Sequence, residues 1–144
     1  MNFKKYLVVI IVFTFSFGFL SSYFSSYDIN KAKDLYVKHC SKCHRKNGTG
    51  IKNVYPPLKN ADYIQNGNTI ELLRGMLFGR SGSIVVNGVK YEGVMLTEIE
   101  GNVPDEDIAL LLTYIYNEFN SINKIVKVED VKKARKSGKL PPHK

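Results

Sequence analysis

The sequence predicts a small all-α domain of three to five short helices, together with one small β-hairpin. Three stretches carry apolar residues at helical spacing, one before Cys40, one after Asn68 and one after Pro104. The segment from Ile84 to Tyr91 instead predicts a hairpin, because an Asn-Gly pair at its centre favours a tight turn. With 144 residues, the chain is long enough for one domain with short appendages.

Each predicted helix has a recognisable start. Asp28 is suited to cap the first helix, and the run from Asn68 to Glu71 has the form of a capping box for the second. Pro104 is suited to the start of the last helix, where three acidic residues follow at the positive end of the helix dipole. This last helix has the clearest apolar stripe, formed by Ile108, Leu111, Leu112, Ile115 and Phe119.

The run from Cys40 to His44 has the spacing C-x-x-C-H, which is typical of covalent attachment of haem c. Two thiols three positions apart can each add to one vinyl group of the porphyrin and form a thioether. The adjacent His44 then lies beneath the iron, where its Nε2 acts as the proximal ligand. We therefore interpret Cys40 and Cys43 as the attachment residues of one haem c and His44 as a ligand of its iron.

Three other interpretations of the two cysteines stay open. A thioredoxin-like dithiol would follow a strand, whereas the residues before Cys40 have helical spacing. A zinc site needs four ligands, and the other histidines, His39 and His143, form no second ligand pair. A disulfide between Cys40 and Cys43 would close too small a loop to add much stability. A haem would also complete the hydrophobic core, because short helices over roughly 95 residues bury little apolar area without a cofactor.

Residues 1–26 are predicted to be a signal peptide or an N-terminal membrane anchor. Two lysines precede an apolar run from Tyr6 to Leu20, which is the order of the n-region and h-region of a secretion signal. With Tyr23 and Phe24 the stretch approaches the roughly 20 residues that span a bilayer, so cleavage and retention are both open. Either form predicts an exported protein, periplasmic or anchored in the membrane and facing the periplasm.

The second axial ligand of the iron decides between electron transfer and an open face for ligand chemistry. Apart from Met1, the chain has two methionines. Met76 is on the apolar face of the middle helix, where packing is the usual role. Met95 is in a predicted loop between the hairpin and the last helix. From there, a methionine is able to reach the face of the haem opposite His44.

Taken in order, these motifs resemble the class I c-type cytochromes, of the bacterial monohaem kind. A helix, C-x-x-C-H, Pro-x-Leu, a loop methionine and an amphipathic last helix follow one another between about Asp28 and Ile122. The resemblance implies a cytochrome c fold, in which short helices surround the covalently attached haem and a small β-hairpin precedes the distal methionine loop. It also implies that His44 and Met95 are the proximal and distal ligands.

Two further residues are assigned by the resemblance. Pro56 matches the proline whose carbonyl oxygen accepts a hydrogen bond from the ligating histidine, which fixes the imidazole. Leu58 matches an apolar residue that packs against the haem. The chain departs from the family at Leu96, where a proline commonly follows the ligand methionine, and at Ala32, where a glycine is usual at the helix crossing.

The resemblance implies single-electron transfer by a His/Met-ligated haem c in a respiratory-type chain, by a carrier that is not itself an enzyme. Two alternatives remain. In the first alternative, the domain is an electron-entry haem c subunit of a membrane oxidase or reductase. In the second, it is a haem enzyme whose sixth coordination site is open. The formal charge of +8 favours redox partner proteins with an acidic docking surface. We expect no nucleic-acid partner, and an N-terminus that is not cleaved would tether the protein to a membrane.

We expect residues 27–122 to form the cytochrome c domain. The remaining residues, 123–144, are predicted to be a basic C-terminal tail with a short helix followed by a disordered end. Lysine and arginine are frequent in this tail, and a solvated surface is the expected role of its charges.

Overall fold

The computed structural model of the chain describes residues 27–143, except residues 98, 100 and 102. The predicted signal peptide or anchor, residues 1–26, lies outside the described residues. Within the described part, no helix is both long enough and apolar enough to cross a bilayer.

Six α-helices and one β-hairpin make up this described part. The helices are α1 (Ile29–His39), α2 (Ser41–His44), α3 (Asp62–Gln65), α4 (Thr69–Phe78), α5 (Asp105–Tyr114) and α6 (Val128–Ser137). Strands β1 (Arg80–Val86) and β2 (Val89–Met95) pair antiparallel about the predicted Asn87-Gly88 turn. One π-helical turn, Ile115–Phe119, continues α5 without a break. The predicted class, mostly helical with a small hairpin, is therefore confirmed.

Helices α1 and α4 begin at the caps that the sequence predicts. The Asp28 side chain accepts a hydrogen bond from the backbone N–H of Lys31 at 3.0 Å. Asn68 Oδ1 accepts from the backbone N–H groups of Ile70 and Glu71, at 2.9 and 3.3 Å. Each cap satisfies backbone donors that the first turn of a helix leaves without an intrahelical partner.

Helix α1 packs across α5, and three aromatic rings fill the crossing. The Tyr36 ring centroid lies 5.7 Å from that of Tyr114 and 4.9 Å from that of Phe119, in tilted and edge-on arrangements. The Tyr36 side chain is fully buried, and its hydroxyl donates to the carbonyl oxygen of Arg45 at 2.7 Å. The crossing therefore fixes the backbone immediately after His44.

The C-terminal residues differ from the disordered end that was expected, because α6 and the segment after it pack onto the domain. Val131 and Ala134 are fully buried on one face of α6, and Leu140 beyond the helix is 9 % exposed. The backbone N–H of Val126 donates to Thr113 Oγ1 of α5 at 2.9 Å. The apolar residues of this segment are few, but their helical spacing places them on one face that α4 and α5 cover.

Two arginines also hold this segment. Arg74 of α4 donates to the carbonyl oxygens of Gly138 and Lys139, at 2.6 and 2.7 Å. Arg135 of α6 forms an ion pair with Asp105 at the start of α5, at 2.7 Å. These contacts satisfy backbone carbonyls beyond the end of α6, which explains why a basic sequence nevertheless lies against the domain.

Candidate functional site

A cleft lies between the C-x-x-C-H segment, α4, the hairpin and the last turns of α5. Its empty volume is about 660 Å³, part of which is open to solvent, and most of its lining is apolar. The cleft brings together five of the six predicted site residues, namely Cys40, His44, Pro56, Leu58 and Met95. The sixth, Cys43, is half-buried on α2.

His44 is held in a defined orientation by Pro56. The side chain is buried, and Nδ1–H donates to the Pro56 carbonyl oxygen at 2.8 Å. Burial lowers the pKa of His44, and the bond to the carbonyl only partly opposes this effect, so the imidazole is neutral. With the proton on Nδ1, the lone pair is on Nε2, which is the nitrogen available to a metal ion.

The loop that carries Pro56 depends on a glycine at close range. Gly50 has a φ of +62°, and a Cβ atom there would lie 2.2 Å from the carbonyl oxygen of Tyr55 and 2.6 Å from that of Pro56. The Gly50 N–H donates to the carbonyl oxygen of His44 at 3.0 Å. Only glycine allows this approach, so Gly50 links the backbone of the histidine to the loop that orients its ring.

Asn120 anchors the other end of the same loop. Its Oδ1 accepts from the Ala61 N–H at 3.0 Å, and its Nδ2 donates to the carbonyl oxygens of Leu58 and Ile115, at 2.8 and 2.9 Å. The side chain is 6 % exposed, so water does not compete for these bonds. The residues that follow Pro56 are thereby fixed to the end of the last helix.

Cys40 and Cys43 form no disulfide with each other, so the disulfide interpretation is not realised in this structure. Burial, with a smaller contribution from Cys43, raises the pKa of the Cys40 thiol to about 12. Helix α1 leads directly into Cys40, which differs from the strand that precedes a thioredoxin-like dithiol. No cluster of three or more metal-binding side chains occurs among residues 27–143 where they are described.

Met95 is the last residue of β2, and the expected loop begins one residue later. The strand is longer than predicted, because the register pairs Met95 with Arg80 at the start of β1. Gly79 has a φ of +73°, and a Cβ atom there would lie 2.3 Å from the Met95 carbonyl oxygen. This glycine therefore lets the end of α4 approach the methionine backbone closely.

Two cleft residues were not assigned a site role from the sequence. Met76 also lines the cleft, because α4 runs along it, whereas helical periodicity alone indicated packing. Arg80 lines it too, although nothing in the sequence ranked this arginine above a surface role.

These residues fit a haem. The walls are mostly apolar, as a porphyrin ring requires. One wall carries a neutral imidazole fixed at Nδ1, with Cys40 beside it. Met76 and Met95, whose side chains are thioethers, also line the cleft. The chemistry of this donor set is that of an iron-porphyrin site.

Comparison with known proteins agrees with the geometry. The cytochrome c family model matches residues 29–117. Cytochrome c-552 of Thermus thermophilus is 35 % identical over 111 residues, which are 72 % of this chain and 82 % of the relative.

Two further relatives are from Gluconobacter. The cytochrome c subunit of a quinone alcohol dehydrogenase of G. oxydans is 22 % identical over 76 % of this chain and 23 % of its own length. The cytochrome subunit of a fructose dehydrogenase of G. japonicus is 26 % identical over 75 % and 22 %. The chain therefore belongs to the cytochrome c family, with covalently bound haem c and a role in electron transfer.

Proposed function

We propose that the protein is a one-electron carrier in which His44 and Met95 are the axial ligands of one haem c, attached through Cys40 and Cys43. The haem, when bound, supplies an iron that takes up and releases one electron. The observation that supports this proposal most is the 2.8 Å bond from His44 to Pro56, beside a cleft that Met95 also lines.

The protein side chains set the properties of such a centre. The Pro56 carbonyl fixes the orientation of the His44 ring by accepting the hydrogen bond from Nδ1–H. The same bond makes the ring more basic, so Nε2 is a stronger ligand for the iron. Leu58 and the other apolar residues of the cleft exclude water. A dry, apolar site disfavours the additional positive charge of the oxidised state, so we expect a raised reduction potential.

Met95 is favoured over Met76 as the distal ligand by its surroundings. Met76 packs against the hydrophobic core, and its carbonyl oxygen accepts from Thr97 Oγ1 at 2.6 Å. Met95 is outside that core and 39 % exposed, so its thioether is not committed to packing. The close contact between Gly79 and the Met95 backbone holds this residue at the edge of the cleft.

An exposed basic surface adjoins the attachment motif and supports docking to partners with an acidic surface. It consists of Lys38, Lys42, Arg45, Lys46 and Lys52, all of which are exposed. Such surfaces steer oppositely charged partners at long range, and the effect weakens with salt. The proposal therefore includes weak and salt-sensitive complexes with redox proteins, and no binding of nucleic acid.

The protein is proposed to act outside the cytoplasm, as a periplasmic carrier or as one tethered to the membrane. The support is the charged and apolar order of residues 1–26, which reads as a signal peptide or an anchor. In this proposal residues 27–122 are the haem domain, and residues 123–143 pack on it as its C-terminal part.

A second candidate function is a haem c subunit of a larger oxidoreductase. The two Gluconobacter relatives are named as cytochrome subunits of dehydrogenases, and this chain spans under a quarter of each. A stable complex that survives gel filtration from the native source would favour the subunit. A monomer that exchanges electrons in solution would favour the carrier.

The ligand assignment is tested by replacing each cleft methionine with leucine, which conserves volume. Met95→Leu should keep the haem attached but lose the weak far-red band of the oxidised protein, which reports the bond between iron and a methionine sulfur. The variant should also have a lower reduction potential and bind cyanide or carbon monoxide readily. Met76→Leu is the matched control, from the same cleft, and should keep that band. If Met76→Leu alone loses the band, the distal ligand is Met76 and the assignment of Met95 is wrong.

An open sixth site is the remaining alternative, in which the protein is a haem enzyme. Leu96 stands where a proline would stiffen the chain after the methionine, and it is 79 % exposed. If the sixth site is open, the oxidised wild-type protein should have a high-spin spectrum, and Met95→Leu should leave that spectrum unchanged.

A further inference from the structure

The side chain of Arg80 is the starting point, since it combines burial, charge and an unsatisfied donor. Among the described residues that line the cleft, Arg80 alone carries a formal charge at neutral pH. Its Nε–H is buried and has no hydrogen-bond partner. Leaving a buried charged donor unpaired is costly, more so than for a neutral group. A group that accepts from this nitrogen is therefore missing among the side chains that the structure describes.

The rest of the guanidinium is held in place. Its central carbon lies 5.0 Å from the centroid of the Tyr63 ring, a cation–π arrangement on the cleft wall. Its Nη2 contacts Nε2 of His143, in the C-terminal segment that lies against β1. That segment is fixed by the His143 N–H, which donates to the Ser81 carbonyl oxygen at 3.0 Å. The arginine is thus positioned by two neighbours, while Nε stays available.

The described carboxylates do not supply the missing partner. None of the ion pairs formed by described residues includes Arg80, and the pairs at Asp105 and Asp107 are made with Arg135 and Lys31. The Tyr63 ring and the His143 imidazole contact part of the guanidinium, but neither group is an anion. No anionic side chain among the described residues completes the site, and an anion that occupies the cleft would do so.

The helix opposite Arg80 is also adapted to it. Gly75, on the buried face of α4, has no side chain, and a Cβ atom there would lie 3.1 and 3.2 Å from Cδ and Cγ of Arg80. These distances are shorter than ordinary contacts between aliphatic carbons, about 3.5–4.0 Å. A glycine in the interior of a helix lowers the stability of the helix relative to alanine. Here it provides the room for the arginine stem to pass beneath α4.

We propose that Arg80 binds a propionate of the haem, donating Nε–H to the carboxylate, and that Gly75, Tyr63 and His143 position it for this role. The inference rests on the proposed function, because it requires the haem to lie in the cleft between His44 and Met95. A haem carries two carboxylates, which are the anionic groups that such a cofactor brings to an otherwise apolar site. Arginine is the side chain best suited to them, since its planar donors match a carboxylate.

The consequence is an electrostatic control of the potential. A carboxylate without a counter-charge near the iron stabilises the oxidised form, whose charge is greater by one. Arg80 neutralises that carboxylate and so keeps the potential high. Removing the arginine should therefore shift the midpoint potential downwards without changing the axial ligands.

The test compares holoprotein variants in two measurements, redox titration and resonance Raman spectroscopy of the propionate bending band. Arg80→Leu should lower the midpoint potential and shift that band, while the low-spin spectrum with its far-red band is retained. Lys90→Leu is the matched control, because it removes the same charge from the exposed side of the hairpin and should change neither. Arg80→Lys keeps the charge without the planar donors, so it should restore most of the potential but not the band position.

A second variant covers the case in which Arg80→Leu does not mature. Gly75→Ala raises helix propensity and does not remove a charge, yet it displaces the arginine stem. It should shift the propionate band and lower the potential by less than Arg80→Leu does. Unchanged potential and band in Arg80→Leu, or in Gly75→Ala if the first variant is lost, would overturn the role of Arg80. A wild-type protein without a low-spin spectrum would overturn the proposed function as well, so the two failures are distinguishable.

Discussion

Replacing Asn120 with alanine should destabilise the protein strongly, although the change removes only one small polar side chain. Asn120 makes three hydrogen bonds, to Ala61, Leu58 and Ile115, and is almost completely buried. The substitution leaves the buried N–H of Ala61 without a hydrogen-bond partner, which costs about 1–3 kcal/mol. It also removes the donor to two carbonyl groups, which costs about 1 kcal/mol for each. Partial relaxation reduces the sum, so we expect a loss of about 3 kcal/mol in the free energy of unfolding.

The measurement is urea unfolding of the haem-loaded protein, followed by far-UV circular dichroism. Asn117→Ala is the matched control, from the same helical end, because its Nδ2 donates only to the carbonyl oxygens of Thr113 and Lys124. Asn117 is half-buried, so water can reach the two carbonyl groups when its side chain is removed. Asn117→Ala should therefore lower the free energy of unfolding by only about 1 kcal/mol. If Asn120→Ala is as stable as Asn117→Ala, the loop after Pro56 is not held by Asn120 and the account of the site is wrong.

Three further changes test other parts of the structure. Gly79→Ala should cost more than about 1 kcal/mol, because φ is positive and Cβ would collide with the Met95 carbonyl; a weaker far-red band should accompany the loss, and an unaltered band would contradict the close approach. Val131→Ala should cost about 2 kcal/mol in urea unfolding, since two buried methyl groups are lost; no effect would mean that α6 does not pack on the domain. Arg74→Leu should raise proteolysis after α6, because the carbonyls of Gly138 and Lys139 lose their donor; equal cleavage in the wild type would contradict this role.

Local signals in the sequence were sufficient to predict the caps and the turn of the elements around the C-x-x-C-H motif. The caps at Asp28 and Asn68 were predictable, because a side chain that accepts from nearby N–H groups acts over only three residues. The Asn87-Gly88 turn was predictable for the same reason, since two residues with positive φ determine the hairpin. The bond from His44 to Pro56 was implied by the resemblance rather than by spacing, because it joins residues that are twelve positions apart.

Tertiary contacts decided the features that the sequence did not predict. A short helix was predicted for the C-terminal segment and disorder only for the end after it, but the order of that end depends on Arg74 in a helix more than sixty residues earlier. The extension of β2 to Met95 depends on pairing with Arg80, in a stretch that lacks a strand pattern. Arg80 was not assigned a site role, because its place in the cleft depends on the room that Gly75 leaves beside the arginine stem. Contacts of this kind depend on the packing of the folded chain, and a single sequence does not display them.

The most direct test of the central claim, a His/Met-ligated haem c electron carrier, is the optical spectrum of the matured wild-type protein. It should be recorded oxidised and reduced, before and after denaturation. The account predicts sharp α and β bands when reduced, a weak far-red band when oxidised, and haem that stays on the denatured chain. Covalent haem with a broad high-spin spectrum would contradict ligation by Met95 and favour an open iron.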